Sequence, residues 1–291
     1  MLQGLLVVNA FLRTSKFDDL YAFLIAAARE LGIGLDVSTN AELCTLVDTE
    51  AFDPSRYGFC LFWDKDVHLA LQLAQRGLPV FNSAESILRC DDKSLTYLCL
   101  KEKGIPMPPT IIAPKTYPAA GYTDTGFVDE AARRLGFPLV LKECFGSFGQ
   151  QVYLFQDVET LRRKVLALQG TPLLFQALVR ESYGRDVRIN VVGDRVVASM
   201  LRRGAQGDFR SNLTLGGSME PYAPTREEAS LALRAAQALG LAFAGVDVLF
   251  GGEGPLLCEV NSNAHFKTTL ACTGVNMARE ILRHIAQAVN S

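Results

Sequence analysis

Short apolar runs alternate with longer amphipathic segments over the first ~90 residues. Four apolar runs predict buried strands: 5–8, 35–37, 59–62 and 79–81. The amphipathic segments 18–31 and 67–76 predict helices, and a glycine directly follows each of them. Strands and helices that alternate in this way favour a parallel sheet covered by helices.

The remaining chain mixes strands and helices in a different order. A helix predicted over 91–103 ends at the sequence GIPMPPT, because its prolines cannot continue a helix. Strands with two intervening helices over 110–180 favour a small α+β lobe. The pattern from residue 186 predicts two strands, a polar glycine-rich stretch, a helix, a hairpin over 246–260 and a last helix. We therefore expect three domains: 1–90, 91–180 and 181–291.

Composition narrows the class of protein without identifying it. Hydrophobic residues make up 49% and charged residues 21%, as in ordinary globular domains, and the net charge of -2 gives no support for bulk binding to nucleic acid or to an anionic membrane. No apolar run is long enough to cross a bilayer, and the apolar start of the chain lacks the basic residues of a signal peptide. The seven cysteines form no CxxC pair, which favours reduced thiols and a cytoplasmic location, although a single catalytic cysteine stays open.

The hairpin near the C-terminus carries the first candidate chemistry. A turn centred near Glu253 would place Asp247 directly opposite Glu259, and Asn261 would lie on the same face of its strand as Glu259. Opposed like charges destabilise a sheet, and unpaired buried charges cost more. A divalent cation removes both objections, and oxygen ligands without histidine or cysteine favour Mg²⁺ or Mn²⁺. Ion pairs with structural Arg or Lys residues elsewhere are the alternative.

A second candidate is a strand–turn–strand segment, LVLKECFGSFGQQVYLF. Lys142 ends its first strand, and the turn Gly146–Gly149 can present backbone N–H groups to an anion. The sequence is neither a Walker A loop nor a dinucleotide fingerprint, and an ordinary hairpin is the alternative reading. Lys93 at a predicted helix start, Arg202 at a strand end and the turn 210–212 are further candidates, although such charges are more often solvated surface groups.

The order of these segments resembles a known superfamily. The segments are DDK ending at Lys93, Lys142 before GSFG, GRDVRINVVGDRVVASMLRR, GDFRSNLTLGG, GVDVLF and CEVNSN. Together they resemble the ATP-grasp superfamily, and more closely the RimK-type glutamate ligases and related amino-acid ligases. The resemblance implies an α/β and α+β fold, in which an N-terminal parallel α/β lobe precedes two α+β lobes that clamp ATP. It also implies an ATP-dependent carboxylate–amine ligase that works through an acyl phosphate and acts on an amino acid or peptide.

The resemblance further implies roles for particular residues. Two Mg²⁺ or Mn²⁺ ions would be held by Asp247, Glu259 and Asn261. ATP would be contacted by Lys93, Lys142, the lid Gly146, Ser147, Phe148 and Gly149, and the hinge Gln176, Ala177, Leu178 and Val179, with Asp186 near the ribose. Arg202 would stabilise the acyl phosphate with Arg188 and Lys142, helped by Arg210, Ser211 and Asn212.

Several positions depart from the family pattern. Phe148, Gln150 and Gln151 alter the lid, Ala177 replaces a hinge glutamate, and residues 262–267 replace the usual Ala-Ser-Pro-Gly after the metal-binding Asn. The retained metal and phosphate residues favour catalysis, whereas the altered post-metal loop favours an acceptor other than a ribosomal protein tail. An ATP-grasp small-molecule kinase and a catalytically silent nucleotide-binding regulator are the alternatives, and a homo-oligomer stays open.

Two further sets of residues are weaker candidates. Asn9, Arg13 and Lys16 follow the first predicted strand, where α/β sheets often present ligand contacts. His265 and Lys267 are candidates for a substrate carboxylate, and a surface loop position is an equal alternative for both.

Overall fold

The N-terminal sheet is built from the apolar runs at the start of the chain. In the computed structural model, which describes residues 2–12, 14–43, 52–146, 149–211 and 216–290, its strands are Gln3–Val8 (β1), Gly34–Thr39 (β2), Phe59–Trp63 (β3) and Val80–Phe81 (β4). They are parallel and lie in the order β2-β1-β3-β4. Because strand side chains alternate, Leu6 packs with helix Ser15–Glu30 (α1) and Leu5 packs on the opposite face. Helices Val67–Gln75 (α2) and Ala84–Asp91 (α3) cover that opposite face.

The central sheet is antiparallel. A helix over Lys93–Glu102 (α4) leads into its strands, which are Thr110–Ile112 (β5), Leu139–Glu143 (β6), Val152–Phe155 (β7) and Leu173–Ala177 (β8). The strand order is β5-β8-β6-β7. Helices Gly126–Leu135 (α5) and Val158–Ala167 (α6) pack their apolar faces against this sheet.

The C-terminal sheet is also antiparallel and is the largest of the three. Its strands are Arg185–Val192 (β9), Arg195–Arg203 (β10), Ser218–Pro221 (β11), Phe243–Gly251 (β12) and Gly254–Asn261 (β13), in the order β11-β10-β9-β12-β13. Helix Arg226–Ala238 (α7) begins with a capping box between Thr225 and Glu228 and packs against this sheet. Helices Lys267–Thr273 (α8) and Met277–Asn290 (α9) complete the chain.

A shared apolar core joins the first and last lobes. Leu24 of α1 and Ile281 of α9 belong to the same buried cluster as Phe243 at the start of β12. Asn82, just after β4, is fully buried and hydrogen-bonds to backbone groups of Phe243 and Ser262. The N-terminal sheet is therefore fixed against the strands that carry the predicted metal residues.

The expected fold class is confirmed, with a parallel α/β lobe followed by two α+β lobes. The three sheets fall within the three expected domains, whose exact boundaries stay predictions. The elements α3, β11 and α8 were not predicted, since α3 and α8 are short and β11 is a four-residue edge strand that ends at proline. Within the described residues, no helix is long and apolar enough to cross a membrane.

Candidate active site

A cavity of about 670 Å³ lies where the three lobes meet. Each lobe contributes to its lining, for example Trp63 from β3, Lys142 from β6 and Arg202 from β10. Most of the candidate residues that the structure describes line this one cavity: Lys93, Lys142, Gly146, Gly149, Gln176, Ala177, Leu178, Val179, Asp186, Arg188, Arg202, Arg210, Ser211, Asp247, Glu259 and Asn261. The candidates Ser147, Phe148 and Asn212 lie outside the described residues.

The hairpin of β12 and β13 places Asp247 opposite Glu259, as the sequence predicts. The turn and the strand register that produce this pairing differ from the expected ones. Gly251 pairs with Gly254, so the turn lies half a residue earlier than a turn centred on Glu253. An irregularity in register between Asp247 and Val248 then restores the expected pair. Glu259 and Asn261 both line the cavity.

Asp247 is buried and is surrounded by arginines. Its carboxylate accepts hydrogen bonds from Arg188 Nε and from Arg188 Nη2 at 2.8 Å, and Arg202 Nη2 lies 2.9 Å from Asp247 Oδ2. Burial alone would raise the pKa of Asp247, but Arg188 and Arg202 hold it below its usual range. Arg202 also contacts Asp186 at 2.7 and 2.5 Å. Asp247 is therefore paired with two arginines, and its role as a metal ligand stays a prediction.

Glu259 and Asn261 make fewer and longer polar contacts than Asp247. Lys93 Nζ lies 3.6 Å from Glu259 Oε1 and donates to the Gly146 carbonyl at 3.2 Å. The Glu259 side chain is 34% exposed, and the Asn261 amide makes a long hydrogen bond of 3.4 Å to the Gly245 carbonyl. Both residues thus present oxygen atoms to the cavity, and oxygen is the ligand that Mg²⁺ and Mn²⁺ prefer. No cluster of three or more His, Cys, Asp and Glu side chains suited to a metal occurs in the described parts of the chain.

Lys142 is buried beside a hydrogen-bond network that sequence reasoning missed. Tyr97 donates to the Cys258 carbonyl at 2.9 Å and accepts from Gln176 Nε2 at 2.7 Å, and the Lys142 ammonium lies close to it. The only sequence signal is spacing, because Tyr97 lies four residues after Lys93 on one helix face. Gln176 therefore uses its amide to position Tyr97.

Replacing Tyr97 with phenylalanine is expected to lower the free energy of unfolding by about 1–3 kcal/mol, because two buried groups lose their partner. Urea denaturation measures this loss directly. The matched control is Tyr117→Phe. Tyr117 is 75% exposed, so this variant should have the same urea midpoint as the wild type. An unchanged midpoint for Tyr97→Phe would contradict the role of the network.

The glycine turn has the backbone that the sequence indicates. Gly146 has a φ of 143°, and a Cβ there would lie 2.5 Å from Gln151 Oε1, so only glycine fits without rearrangement. Arg210 is paired with Asp208 and donates from Nη1 to the Gly149 carbonyl at 2.8 Å. The predicted lid is thus tied to the C-terminal lobe through Arg210.

The predicted hinge spans the end of β8 and the two residues after it. The Ala177 N–H donates to the Pro109 carbonyl at 2.9 Å, and Leu178 and Val179 then leave the strand and line the cavity. Asp186 also lines the cavity, but its carboxylate is bound by Arg202. Burial raises the pKa of Asp186, and Asp247 adds to this, against the opposing effects of Arg202 and Ser211.

Residues of the N-terminal lobe close one end of the cavity. Asn9 lines it as the position after β1 suggests, whereas Arg13 and the side chain of Lys16 lie outside the described parts of the structure. His265 lines the cavity, but Lys267 does not and pairs with Asp19 at the surface. Sequence reasoning missed Asp64, which directly follows the buried strand β3 and lines the same end.

Comparison with known proteins places this geometry in a family. A model of the RimK-like ATP-grasp domain matches residues 90–285. The chain belongs to the RimK-like ATP-grasp family. The match covers two of the three lobes and includes all the metal and phosphate candidates, so the predictions of the family, of ATP use and of a carbon–nitrogen ligase are confirmed at this general level.

Curated relatives and solved structures agree with this assignment. An uncharacterized protein of Mycoplasma pneumoniae is 34% identical over 264 residues, covering 89% of this chain and 91% of the relative. A protein of Shewanella amazonensis named probable alpha-L-glutamate ligase 2 is 38% identical over 220 residues, covering 75% of this chain and 70% of the relative. The D-alanine–D-alanine ligase of Bacillus anthracis shares the fold, with a TM-score of 0.74 at 18% identity, covering 100% of this chain and 97% of that chain.

Proposed function

We propose that this RimK-like chain joins the carboxylate of one amino-acid or peptide substrate to the amine of another, through an acyl phosphate formed from ATP. The observation that supports this most directly is the composition of the cavity. Basic side chains from the central and C-terminal lobes line it, among them Lys93, Lys142, Arg188 and Arg202. They surround the carboxylates of Asp247 and Glu259, which is the pairing of charges that holds a polyphosphate and its cation.

In this proposal the nucleotide lies between the central and C-terminal sheets. The base would rest beside Leu178 and Val179, and the phosphates beside Lys93 and Lys142. The turn that contains Gly146 would cover the phosphates with its backbone N–H groups. Closure of this turn would exclude water from the reacting groups.

The oxygen ligands fit divalent cations at the phosphate end. Glu259 and Asn261, with Asp247, would hold two Mg²⁺ or Mn²⁺ ions, which would offset the negative charge on the transferring phosphoryl group. Asp247 can take part only if a guanidinium group turns from it towards a substrate anion, because both of its oxygens already accept hydrogen bonds. Arg202 also contacts Asp186, so it would remain held when it leaves Asp247.

The proposed chemistry has two steps. The substrate carboxylate attacks the γ-phosphorus of ATP, ADP leaves, and an acyl phosphate forms. The amine then attacks the acyl carbon, the carbon–oxygen bond breaks, and phosphate leaves. Arg202 and Arg188 would stabilise the charge in both steps, because both guanidinium groups are buried beside the carboxylates that line the cavity.

The substrates are proposed from two considerations. The curated relative is named as a probable alpha-L-glutamate ligase, which supports an amino-acid substrate. The loop after Asn261 departs from the family sequence and lines the cavity through Asn263, Ala264 and His265. We therefore expect a small amino acid or peptide acceptor, with no nucleic acid or membrane partner; a homo-oligomer remains compatible with this proposal.

The test is turnover of Mg·ATP by the purified chain with pools of amino acids and dipeptides. The expected result is release of ADP and phosphate together with a product whose mass is the sum of two substrates minus water. A phosphorylated product without an amide would support the kinase alternative. ATP binding without consumption in any pool would support the regulator alternative.

A further inference from the structure

The end of the cavity formed by the N-terminal sheet differs in charge from the phosphate end. Strands β1 and β3 are parallel neighbours, and Val8 lies opposite Trp63. The residues that follow them, Asn9 and Asp64, therefore meet at the carboxyl edge of the sheet. Asp64 is 7% exposed and lines the cavity. A carboxylate thus faces a cavity whose other end carries lysines and arginines.

Within the described parts of the chain, the hydrogen bonds to the Asp64 carboxylate come from neutral donors. Its Oδ1 accepts from the Lys65 backbone N–H at 2.8 Å, and Asn9 Nδ2 lies 3.1 and 3.2 Å from its two oxygens. The Lys65 ammonium is engaged by Asp91 instead. No Lys or Arg side chain in the described ranges forms an ion pair with Asp64. Among the described residues, Asp64 thus has hydrogen-bond donors but no ion-pair partner, and it is almost fully buried.

The charged form of Asp64 is costly in this buried position. Burial raises the pKa of Asp64, although the Lys65 N–H and Asn9 both favour the charged form. A cation placed in the cavity beside Asp64 would offset this cost. A positively charged ligand would therefore be favoured at this end of the cavity.

The neighbouring groups also suit a cation that carries several N–H donors. Asn263 donates from Nδ2 to the Asp64 carbonyl at 2.9 Å, and its Oδ1 is buried without a hydrogen-bond partner among the described residues. The rings of Phe17 and Trp63 line the same end of the cavity. An ammonium group has three N–H donors, which match acceptor oxygens, and it is also attracted to aromatic rings.

We infer that Asp64 binds the protonated amino group of a substrate, and that the substrate at this end is an amino acid rather than a simple carboxylic acid. This inference rests on the proposed function. A neighbouring carboxylate keeps an ammonium protonated, and a protonated nitrogen has no lone pair with which to attack. The nitrogen held by Asp64 is therefore not the reacting amine but belongs to the substrate whose carboxylate is activated.

The position of Asn263 agrees with this assignment. It lies two residues beyond Asn261, which places the Cα atoms within about 7 Å of each other. The amino group and the carboxylate of one small amino acid could then contact Asp64 and face the phosphate end at the same time.

The first test is binding to the full chain in the presence of Mg²⁺ and AMP-PNP, an ATP analogue that is not hydrolysed. Calorimetric titration would use the standard L-amino acids and β-alanine, each compared with its desamino acid, such as L-glutamate with glutarate and L-alanine with propionate. The expected result is at least one amino acid that binds about 30-fold more tightly than its desamino partner. If no amino acid binds more tightly than its partner, the inference is overturned, whether or not the protein turns over ATP.

The second test uses Asp64→Asn, with Asp36→Asn as its matched control. Asp36 pairs with Arg56 on the outer surface of the same lobe and does not line the cavity. Asp64→Asn is expected to weaken the preferred amino acid by about 30-fold without changing the dissociation constant of AMP-PNP, and Asp36→Asn should match the wild type. Retained amino-acid affinity in a folded Asp64→Asn protein would overturn the inference. If this variant does not fold, the titration of the wild-type protein decides the question.

Fragmentation of any amide product in a mass spectrometer tests this inference independently of the proposed function. The amino acid bound at Asp64 should not be acylated at its amino group and should carry the new bond at a carboxylate. A product in which its own amino group has been acylated would overturn the Asp64 assignment but keep the ligase. Ammonium-selective binding without any amide product would keep the Asp64 assignment and contradict the ligase.

Discussion

Replacing Glu259 with glutamine is expected to reduce the rate of amide formation by about 10²–10³-fold or more, with the fold retained. Glutamine has the size of glutamate but lacks the charge needed to hold a divalent cation. The fold should persist because the Glu259 side chain is 34% exposed and its contact with Lys93 is long, at 3.6 Å. Ion pairs of this kind contribute only about 0–1 kcal/mol to stability.

Phosphate release and product mass measure the activity of this variant, and urea denaturation measures its stability. The matched control is Glu253→Gln, because Glu253 lies exposed in the turn of the same hairpin and does not line the cavity. Glu253→Gln should keep the wild-type rate. A Glu259→Gln protein with more than half of the wild-type rate would exclude Glu259 as a metal ligand.

The pairing of Asp247 with Glu259 could be predicted because both strands belong to one short hairpin. The partners of Asp247 could not, because Arg188 lies 59 residues away on a strand whose neighbours depend on the tertiary fold. In the sheet, Arg188 is opposite Asp247 and Arg202 is opposite Asp186. A pair of opposite charges therefore lies across each of the two strand interfaces, β12 with β9 and β9 with β10. Local sequence patterns contain no information about this order of strands.

At the N-terminal end of the site, local sequence patterns again predict only part of the arrangement. Asn9 was predicted because it directly follows an apolar run, and α/β sheets often present ligand contacts directly after a strand. Asp64 follows the neighbouring strand at the same edge, but the expected strand ended at residue 62, so its position at the edge was not recognised. Asn82 lies in a polar segment that reads as an ordinary connection. Its importance arises from bonds to residues 160 or more positions away.

Replacing Asn82 with alanine is expected to lower the free energy of unfolding by about 3–5 kcal/mol. Asn82 is fully buried, and its amide donates to the carbonyls of Phe243 at 3.0 Å and Ser262 at 2.9 Å. Its carbonyl oxygen accepts from the N–H groups of Ala242 at 2.7 Å and Phe243 at 3.3 Å. Alanine would leave these buried backbone groups without partners, and such groups are costly because water does not reach them.

Urea denaturation measures this loss, with Asn290→Ala as the control because Asn290 bonds only within the exposed end of α9. Asn82→Asp tests the direction of the bonds, because aspartate keeps the size but replaces two donors with an acceptor. It should destabilise at least as much as alanine. These bonds fix the start of β12 and the residue after β13, so loss of Asn82 also removes the anchor of the hairpin that carries Asp247 and Glu259. A wild-type midpoint for Asn82→Ala would instead show that the apolar core of α1, α9 and Phe243 holds the lobes together without this residue.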